Sequence, residues 1–283
     1  MVLSWKEEFA VGAGFLTVVM AGVIGWGWGP GIAAILSVGV GTAVILAGVF
    51  VSIRRLDKRT KKRDHLRQRR LFWQIEAILS VLATLRPDRP LPATRSWAAS
   101  PDLLRTLVNH IFEQKPERVL ELGSGVSTLV MAHVLNRTGG HVTALEQDAE
   151  YAQKTRDTIR LHGLEETATV VHAPLRSFDI AGEEWLWYDW NGLNDATMFD
   201  LLFVDGPSGN VQSLARYPGL PLLNDQLDDG CTIVLDDAHR EEEQKVAERW
   251  LTENPLLVRE EHLNLEKGAL ILRKKQSRRG DSS

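Results

Sequence analysis

The chain of 283 residues has a single cysteine, Cys231. No intramolecular disulfide can form, so the fold rests on apolar burial. Cys231 opens an apolar strand and reads as a small buried side chain rather than a nucleophile. No His/Cys cluster has zinc spacing, and no Ser-His-Asp or Cys-His pattern is present. A structural zinc or a covalent enzyme intermediate is therefore not signalled. Internal repeats are absent, which excludes a repeat array. Basic charge is scarce outside one segment. Residues 54–70 hold ten of the 33 Lys and Arg against two Asp, and the remainder has 23 basic and 35 acidic residues. Nucleic acid is not an expected partner of such a chain.

Charge is missing altogether from two N-terminal runs. Phe9 to Trp28 (20 residues) and Gly31 to Ile53 (23 residues) contain no Asp, Glu, Lys or Arg. At 1.5 Å per residue, each is long enough for a hydrocarbon core of about 30 Å. Gly29-Pro30 separates them with almost no loop, so residues 1–53 are expected to form a transmembrane helical hairpin. A cleaved signal peptide fits less well. The first run is long for its apolar region, only Lys6 precedes it against Glu7 and Glu8, and a second run follows at once. The positive-inside bias keeps residues 54–70 cytoplasmic, which puts both termini and the main domain on that side of the membrane. Membrane lipids are the expected partners of residues 9–53. Anionic headgroups are expected to attract 54–70, at about 1 kcal/mol per basic residue near the surface. Leu71, Ile75, Ile78, Leu79 and Leu82 recur near helical spacing and predict a packing helix over 66–85. A stiff linker, Arg86-Pro87-Asp88-Arg89-Pro90-Leu91-Pro92, follows. The expected organisation is a hairpin over 1–53, a basic juxtamembrane helix with linker over 54–92, a main domain over 93–275 and a disordered tail over 276–283.

The most informative stretch of the main domain is Arg118-Val119-Leu120-Glu121-Leu122-Gly123-Ser124-Gly125-Val126-Ser127-Thr128. A short apolar strand ends in Gly-x-Gly, and a helix-forming segment from Leu129 to Leu135 follows. Glycines let a backbone approach a ligand closely, and the helix start offers unpaired N–H groups. A nicotinamide dinucleotide site wants G-x-G-x-x-G, but the third position here is Thr128. Glu121 lies two residues before the first glycine. A carboxylate there suits the cationic amino group and sulfonium of S-adenosylmethionine (SAM) better than it suits a pyrophosphate. A second strand, His141 to Leu145, ends in Glu146, 21 residues after Gly125. An acid at that place can accept hydrogen bonds from both ribose hydroxyls, as in NAD sites. Glu146 alone fits either cofactor; Glu121 with Thr128 favours SAM. The candidate cofactor contacts are Glu121, Gly123, Ser124, Gly125, Ser127, Thr128, Glu146, Ala173 after a third strand (168–172), and Asp205.

Two further apolar strands end in carboxylates. Phe199 to Val204 leads to Asp205 and Gly206-Pro207, and Cys231 to Leu235 leads to Asp236-Asp237. Alternating strands and helices imply a parallel sheet with crossover helices, and ligands bind outside the carboxyl ends of such strands. Asp205, Asp236 and Asp237 are thus expected at one mouth with Gly123 and Glu146. His239 is the nearest candidate base. Leu256 to Leu263 and Ala269 to Leu272 read as a closing hairpin. Trp185, Trp187, Tyr188 and Trp190 form either a substrate wall or the packing of a surface insertion.

From roughly Trp97 to Lys274, this ordered set resembles the class I SAM-dependent methyltransferases. The resemblance implies a Rossmann-like α/β sheet, mostly parallel, with a closing antiparallel hairpin. The stretch Phe199 to Asp237, with Arg216-Tyr217 between the strands, is similar to the catechol and caffeoyl-CoA O-methyltransferases. Those enzymes hold a divalent metal with an Asp after the fourth strand and an Asp-Asn pair after the fifth. SAM is the cofactor so implied, and Asp205, Asp236 and Asp237 are the implied Mg²⁺ ligands. This chain departs from the pattern twice. Asp237 replaces the Asn, and Ser208 stands where the family has a Lys base three residues after its first Asp. The Asn-Pro-Pro-Tyr of DNA adenine and glutamine N-methyltransferases is missing. The expected function is a membrane-anchored SAM-dependent O-methyltransferase for a small-molecule, lipid or glycan acceptor, working by in-line displacement. A SAM-binding, membrane-tethered interaction module without turnover is the alternative. An NAD-linked oxidoreductase is disfavoured by Thr128 and by the lack of a Tyr-x-x-x-Lys pair.

Overall fold

The computed structural model describes residues 30–94, 98–190 and 197–276. The chain divides into two compact units, with the boundary between Arg69 and Arg70.

The first unit holds the N-terminal part of helix α1 (Pro30–Leu85). Its uncharged run is helical, as expected, and its apolar side chains face outward: Ile45, Leu46, Val49, Phe50 and Ile53 are all exposed. Polar side chains within the run bond to their own helix. Thr42 Oγ1 donates to the Val38 carbonyl at 2.8 Å and Ser52 Oγ to the Gly48 carbonyl at 2.9 Å. Such back-bonding removes bare hydroxyls from an apolar surface. An apolar window of mean hydropathy 1.6, none of it buried, makes α1 long and apolar enough to cross a membrane. It is one such helix among the described residues, where the sequence led us to expect two. The other expected span, Phe9 to Trp28, lies outside them. The basic segment starts no helix of its own: helical propensity of Lys, Arg and Leu carries α1 straight through it.

The second unit begins with the last turns of α1. The spacing of Leu71, Ile75, Ile78, Leu79 and Leu82 pointed to a packing face, yet Ile78 is only half-buried and the other four are exposed. The buried residues are Gln74, Ala77, Val81 and Leu85. Both sets repeat at helical intervals, and the polar contacts decide between them. Gln74 Oε1 accepts from the Asp102 N–H at 3.2 Å. Arg137 donates to the carbonyls of Thr84 at 2.5 Å and of Leu85, satisfying the open end of α1.

Among the described residues, nine strands follow: β1 (Arg118–Leu122), β2 (His141–Glu146), β3 (Ala168–His172), β4 (Leu175–Ile180), β5 (Glu183–Tyr188), β6 (Phe199–Val204), β7 (Leu227–Asp236), β8 (Leu257–Leu263) and β9 (Ala269–Lys274). The α-helices α2 (Pro101–Gln114), α3 (Val126–Thr138), α4 (Ala149–Leu161), α5 (Gly219–Leu223) and α6 (Glu241–Glu253) are interspersed. Seven strands form one sheet in the order β3-β2-β1-β6-β7-β9-β8, with β9 antiparallel to both neighbours. Buried parallel strands need apolar residues on both faces. Val119 and Val142 serve the face covered by α2, α3 and α4, while Leu120 and Leu202 serve the face holding Trp187, Tyr217 and Trp250. Register levels the strand ends: Leu122 pairs with Leu145 and with Val204, and Val204 with Leu235. The residues one step beyond, Gly123, Glu146, Asp205 and Asp236, therefore emerge along one edge.

β4 and β5 form a separate two-stranded sheet. The aromatic span is thus a hairpin in which Trp185 and Trp187 turn inward and Glu184 and Leu186 outward. A Cβ on Gly219 would stand 3.3 Å from the Trp187 ring, so a glycine there lets the indole seat against α5. Cys231 is buried, as expected, and burial raises its thiol pKa to about 12.

Candidate active site

The strand ends open into a cleft of about 540 Å³. Gly123 has φ +102°, a conformation few side chains tolerate. Its N–H donates to the Leu145 carbonyl at 2.9 Å, which ties the turn to β2. The turn thus lines the cleft with bare backbone. Ser124 donates to Glu146 Oε2 twice, from N–H at 3.1 Å and from Oγ at 3.0 Å, and the Asp148 N–H donates to Oε1 at 3.1 Å. Glu146 is thereby held at the cleft wall with lone pairs to spare. Burial raises its pKa.

Ser127 and Thr128 begin α3, and both hydroxyls point back to Glu121. Ser127 Oγ donates to Oε1 and Thr128 Oγ1 to Oε2, each at 2.5 Å, while the Gly125 N–H donates to Thr128 Oγ1 at 2.9 Å. Thr128 therefore spends the place of a third glycine on a side-chain clasp between strand and helix. Glu121 and Thr128 are sealed inside this clasp, and Ser127 alone of the three lines the cleft. Burial raises the Glu121 pKa to about 8, against the pull of the two hydroxyls. A folded-state pKa above the ordinary 4.5 means that the native protein holds this proton more tightly than the unfolded chain. The stabilisation is complete below about pH 4.5 and is lost as pH rises toward 8. Glu121→Gln mimics the protonated acid. Urea unfolding is expected to show the variant gaining on wild type from pH 5.5 to 7.5, by up to about 1.4 kcal/mol per pH unit. Parallel pH profiles of the two proteins would sink this assignment.

Ala173 is fully buried and donates its N–H to the Glu146 carbonyl at 2.8 Å. It supports β2 and is not among the residues lining the cleft.

Asp205, Asp236 and Asp237 bring carboxylate oxygens within 4.8 Å of one another. Asp205 and Asp237 line the cleft, whereas Asp236, also expected at this mouth, is buried and does not line it. Asp237 has φ +59°, a conformation that Asp and Asn adopt more readily than other side-chain-bearing residues. Sequence reasoning assigned no role to Arg216, which lies among these acids and is almost fully buried. Its Nη2 donates to Asp237 Oδ2 at 2.8 Å, to the Asp205 carbonyl at 2.8 Å and to Asp205 Oδ1 at 3.3 Å. Its Nη1 donates to the Asp236 carbonyl at 2.9 Å. Burial opposes its charge, but the acids around it outweigh burial and keep it cationic. Burial raises Asp205 to about 6, against Arg216, and raises Asp236 well above the usual carboxyl range. Neither carboxyl oxygen of Asp236 has a hydrogen-bond partner among the described residues.

Tyr188 closes the cleft from β5. It is buried, and its hydroxyl has no partner among the described residues. A Cβ on Gly206 would stand 2.2 Å from that oxygen, so the missing side chain makes room for it. The aromatic run was visible in the sequence, but its direction into the cleft was not.

His239, the expected base, does not line the cleft. Its ring is exposed and rests on the turn at Gly268, where a Cβ would lie 2.6 Å from Cδ2. The left-handed turn at Asp237 swings His239 outward and brings Arg240 to the cleft, 3.0 Å from Asp237 Oδ2.

Residues 120–238 match a family described as a methyltransferase domain. Among curated proteins there is no match. The fold is shared with a methyltransferase from Podospora anserina solved with SAH: identity is 18%, TM-score 0.51, and the match covers 71% of this chain and 88% of that one. An O-methyltransferase from Bacillus cereus, also in complex with SAH, gives 19% identity, TM-score 0.50, and coverage of 72% and 91%. The family match spans the glycine turn, Glu146, Asp205 and the Asp236-Asp237 pair, the same strand ends that build the cleft, and it supports a SAM-dependent methyltransferase.

Proposed function

We propose that the chain is a membrane-anchored O-methyltransferase that carries the methyl group of SAM to a hydroxyl of a small-molecule, lipid or glycan acceptor. The observation that carries this reading is the two-walled cleft. A glycine turn and Glu146 form one wall, and Asp205 and Tyr188 form the other. Its volume suits a cofactor with part of an acceptor.

When bound, SAM supplies an electrophilic methyl group on a sulfonium. The Gly123–Gly125 backbone admits the cofactor, and the spare lone pairs of Glu146 accept its ribose hydroxyls. Held by this wall, the cofactor would present its methyl carbon to the acceptor oxygen, the sulfur–carbon bond breaking as the oxygen–carbon bond forms and SAH being left. The acceptor proton passes to Asp205, whose pKa near 6 lets it take a proton and return it to water. The unpartnered Tyr188 hydroxyl orients the acceptor oxygen. Mg²⁺ fits this site poorly. Its three oxygens are close enough together, but Arg216 already engages Asp205 and Asp237.

The outward apolar surface of α1 and the basic segment beyond it support membrane attachment. In our reading, residues 9–53 form two spans, both termini and the catalytic unit are cytoplasmic, and residues 54–70 lie against anionic lipid.

Thermal unfolding of the detergent-solubilised protein with SAM, SAH and NAD tests the cofactor. SAM and SAH are expected to stabilise it by roughly 2.7 kcal/mol at 100 times Kd. Stabilisation by NAD alone would overturn the reading. Release of the full-length protein from membranes by salt washing without detergent would remove the anchor.

A further inference from the structure

Three carboxylates gathered this closely, Asp236 and Asp237 buried and Asp205 half-buried, need a counter-charge. Here, that charge is already part of the chain. The Arg216 guanidinium is planar, permanently cationic and able to serve several oxygens at once. It reaches both Asp205 and Asp237, and also bonds the Asp205 and Asp236 carbonyls. Glu243 Oε1 lies 3.8 Å from its Nε, and Arg240 adds a second cation 3.0 Å from Asp237 Oδ2. Two of the three carboxylates thus face cations, whereas neither oxygen of Asp236 has a hydrogen-bond partner among the described residues.

We propose that Arg216 is the resident cation of this cluster, holding Asp205 and Asp237 in place and excluding a divalent metal. A metal entering the cluster would meet the guanidinium charge at close range and compete with it for two carboxylates. Ser208 agrees with this arrangement, because the lysine that accompanies the metal in the resembled enzymes is missing too. Arg216 acts here as a positioning residue, working through Asp205. That role rests on the methyltransferase reading, whereas exclusion of metal does not.

Manganese binding to the full-length protein in detergent, followed by loss of the free Mn²⁺ electron paramagnetic resonance signal, tests the inference without an acceptor. Wild type is expected to show no Mn²⁺ binding that depends on Asp236. Arg216→Met is expected to bind one Mn²⁺ at least about tenfold more tightly than wild type, and Arg216→Met with Asp236→Asn is expected to lose it. One Mn²⁺ on wild type that Asp236→Asn removes would overturn the inference. So would a folded Arg216→Met protein that gains no Mn²⁺. If Arg216→Met gives no cooperative melt, wild type against Asp236→Asn decides alone: Asp236-dependent binding overturns the inference, and its absence supports it. SAH titration of the wild type runs alongside. Failure there would overturn the methyltransferase reading and leave the metal result standing.

Discussion

Valine in place of Gly123 is expected to weaken SAH binding at least about tenfold while leaving a folded protein. Space is not the obstacle, since a Cβ at Gly123 would stand 3.7 Å from the Gly206 nitrogen, an ordinary contact. The obstacle is the backbone. At φ +102° a β-branched residue is strained by roughly 1–3 kcal/mol. Relief of that strain moves the turn away from the Leu145 carbonyl that now fixes it. A shift of 1.4 kcal/mol in binding is already tenfold, and the isopropyl group also enters the cleft side of the turn. Calorimetric titration with SAH measures the loss, and a cooperative melt shows that the variant is folded. Unchanged affinity in a folded variant would remove the glycine turn from the cofactor site.

The second large effect is on stability. Arg216→Met is expected to destabilise the catalytic unit by about 3–5 kcal/mol, because breaking a buried pair leaves charge uncompensated. In a domain of this size, that lowers Tm by roughly 10 °C. The pH dependence tells this cause from simple loss of packing. Asp205 already has a folded-state pKa of about 6, above its ordinary 3.8. Without Arg216, which lowers it, it rises further. A carboxyl with a raised folded-state pKa contributes stability at low pH and loses it as pH rises through that value. The deficit of Arg216→Met is therefore expected to be smaller at pH 5 than at pH 8. An equal deficit at both would mean that the methionine fails for reasons of shape rather than charge.

Much of this site was legible in the sequence because its elements are local. Gly-x-Gly after an apolar strand needs only neighbouring residues to be recognised, and the same holds for a carboxylate closing each of β2, β6 and β7. Strand–helix alternation then implies a parallel sheet, and parallel register levels the strand ends. Gly123, Glu146, Asp205 and Asp236 were brought to one edge by that logic. The uncharged run from Gly31 to Ile53 was legible for the same reason, since length and lack of charge are properties of the chain itself.

What remained hidden depends on contacts between distant residues or on single dihedral angles. Arg216 lies in the segment between β6 and β7, and nothing near it in sequence shows that its guanidinium meets three acids from two strand ends. His239 was a sensible base by proximity to Asp237, until a left-handed turn at that residue exchanged it for Arg240. The packing face of α1 was misread because hydrophobic spacing is silent about Gln74 bonding to Asp102 and about Arg137 closing the helix end. Glu121 looked like a cofactor contact, yet Ser127 and Thr128 draw it inside. By itself, the sequence determined the order of the strands' chemistry, the glycine turn and the apolar helix. Only the tertiary structure decided which polar side chains face the cleft, because burial leaves each buried charge only the partners that packing brings within reach.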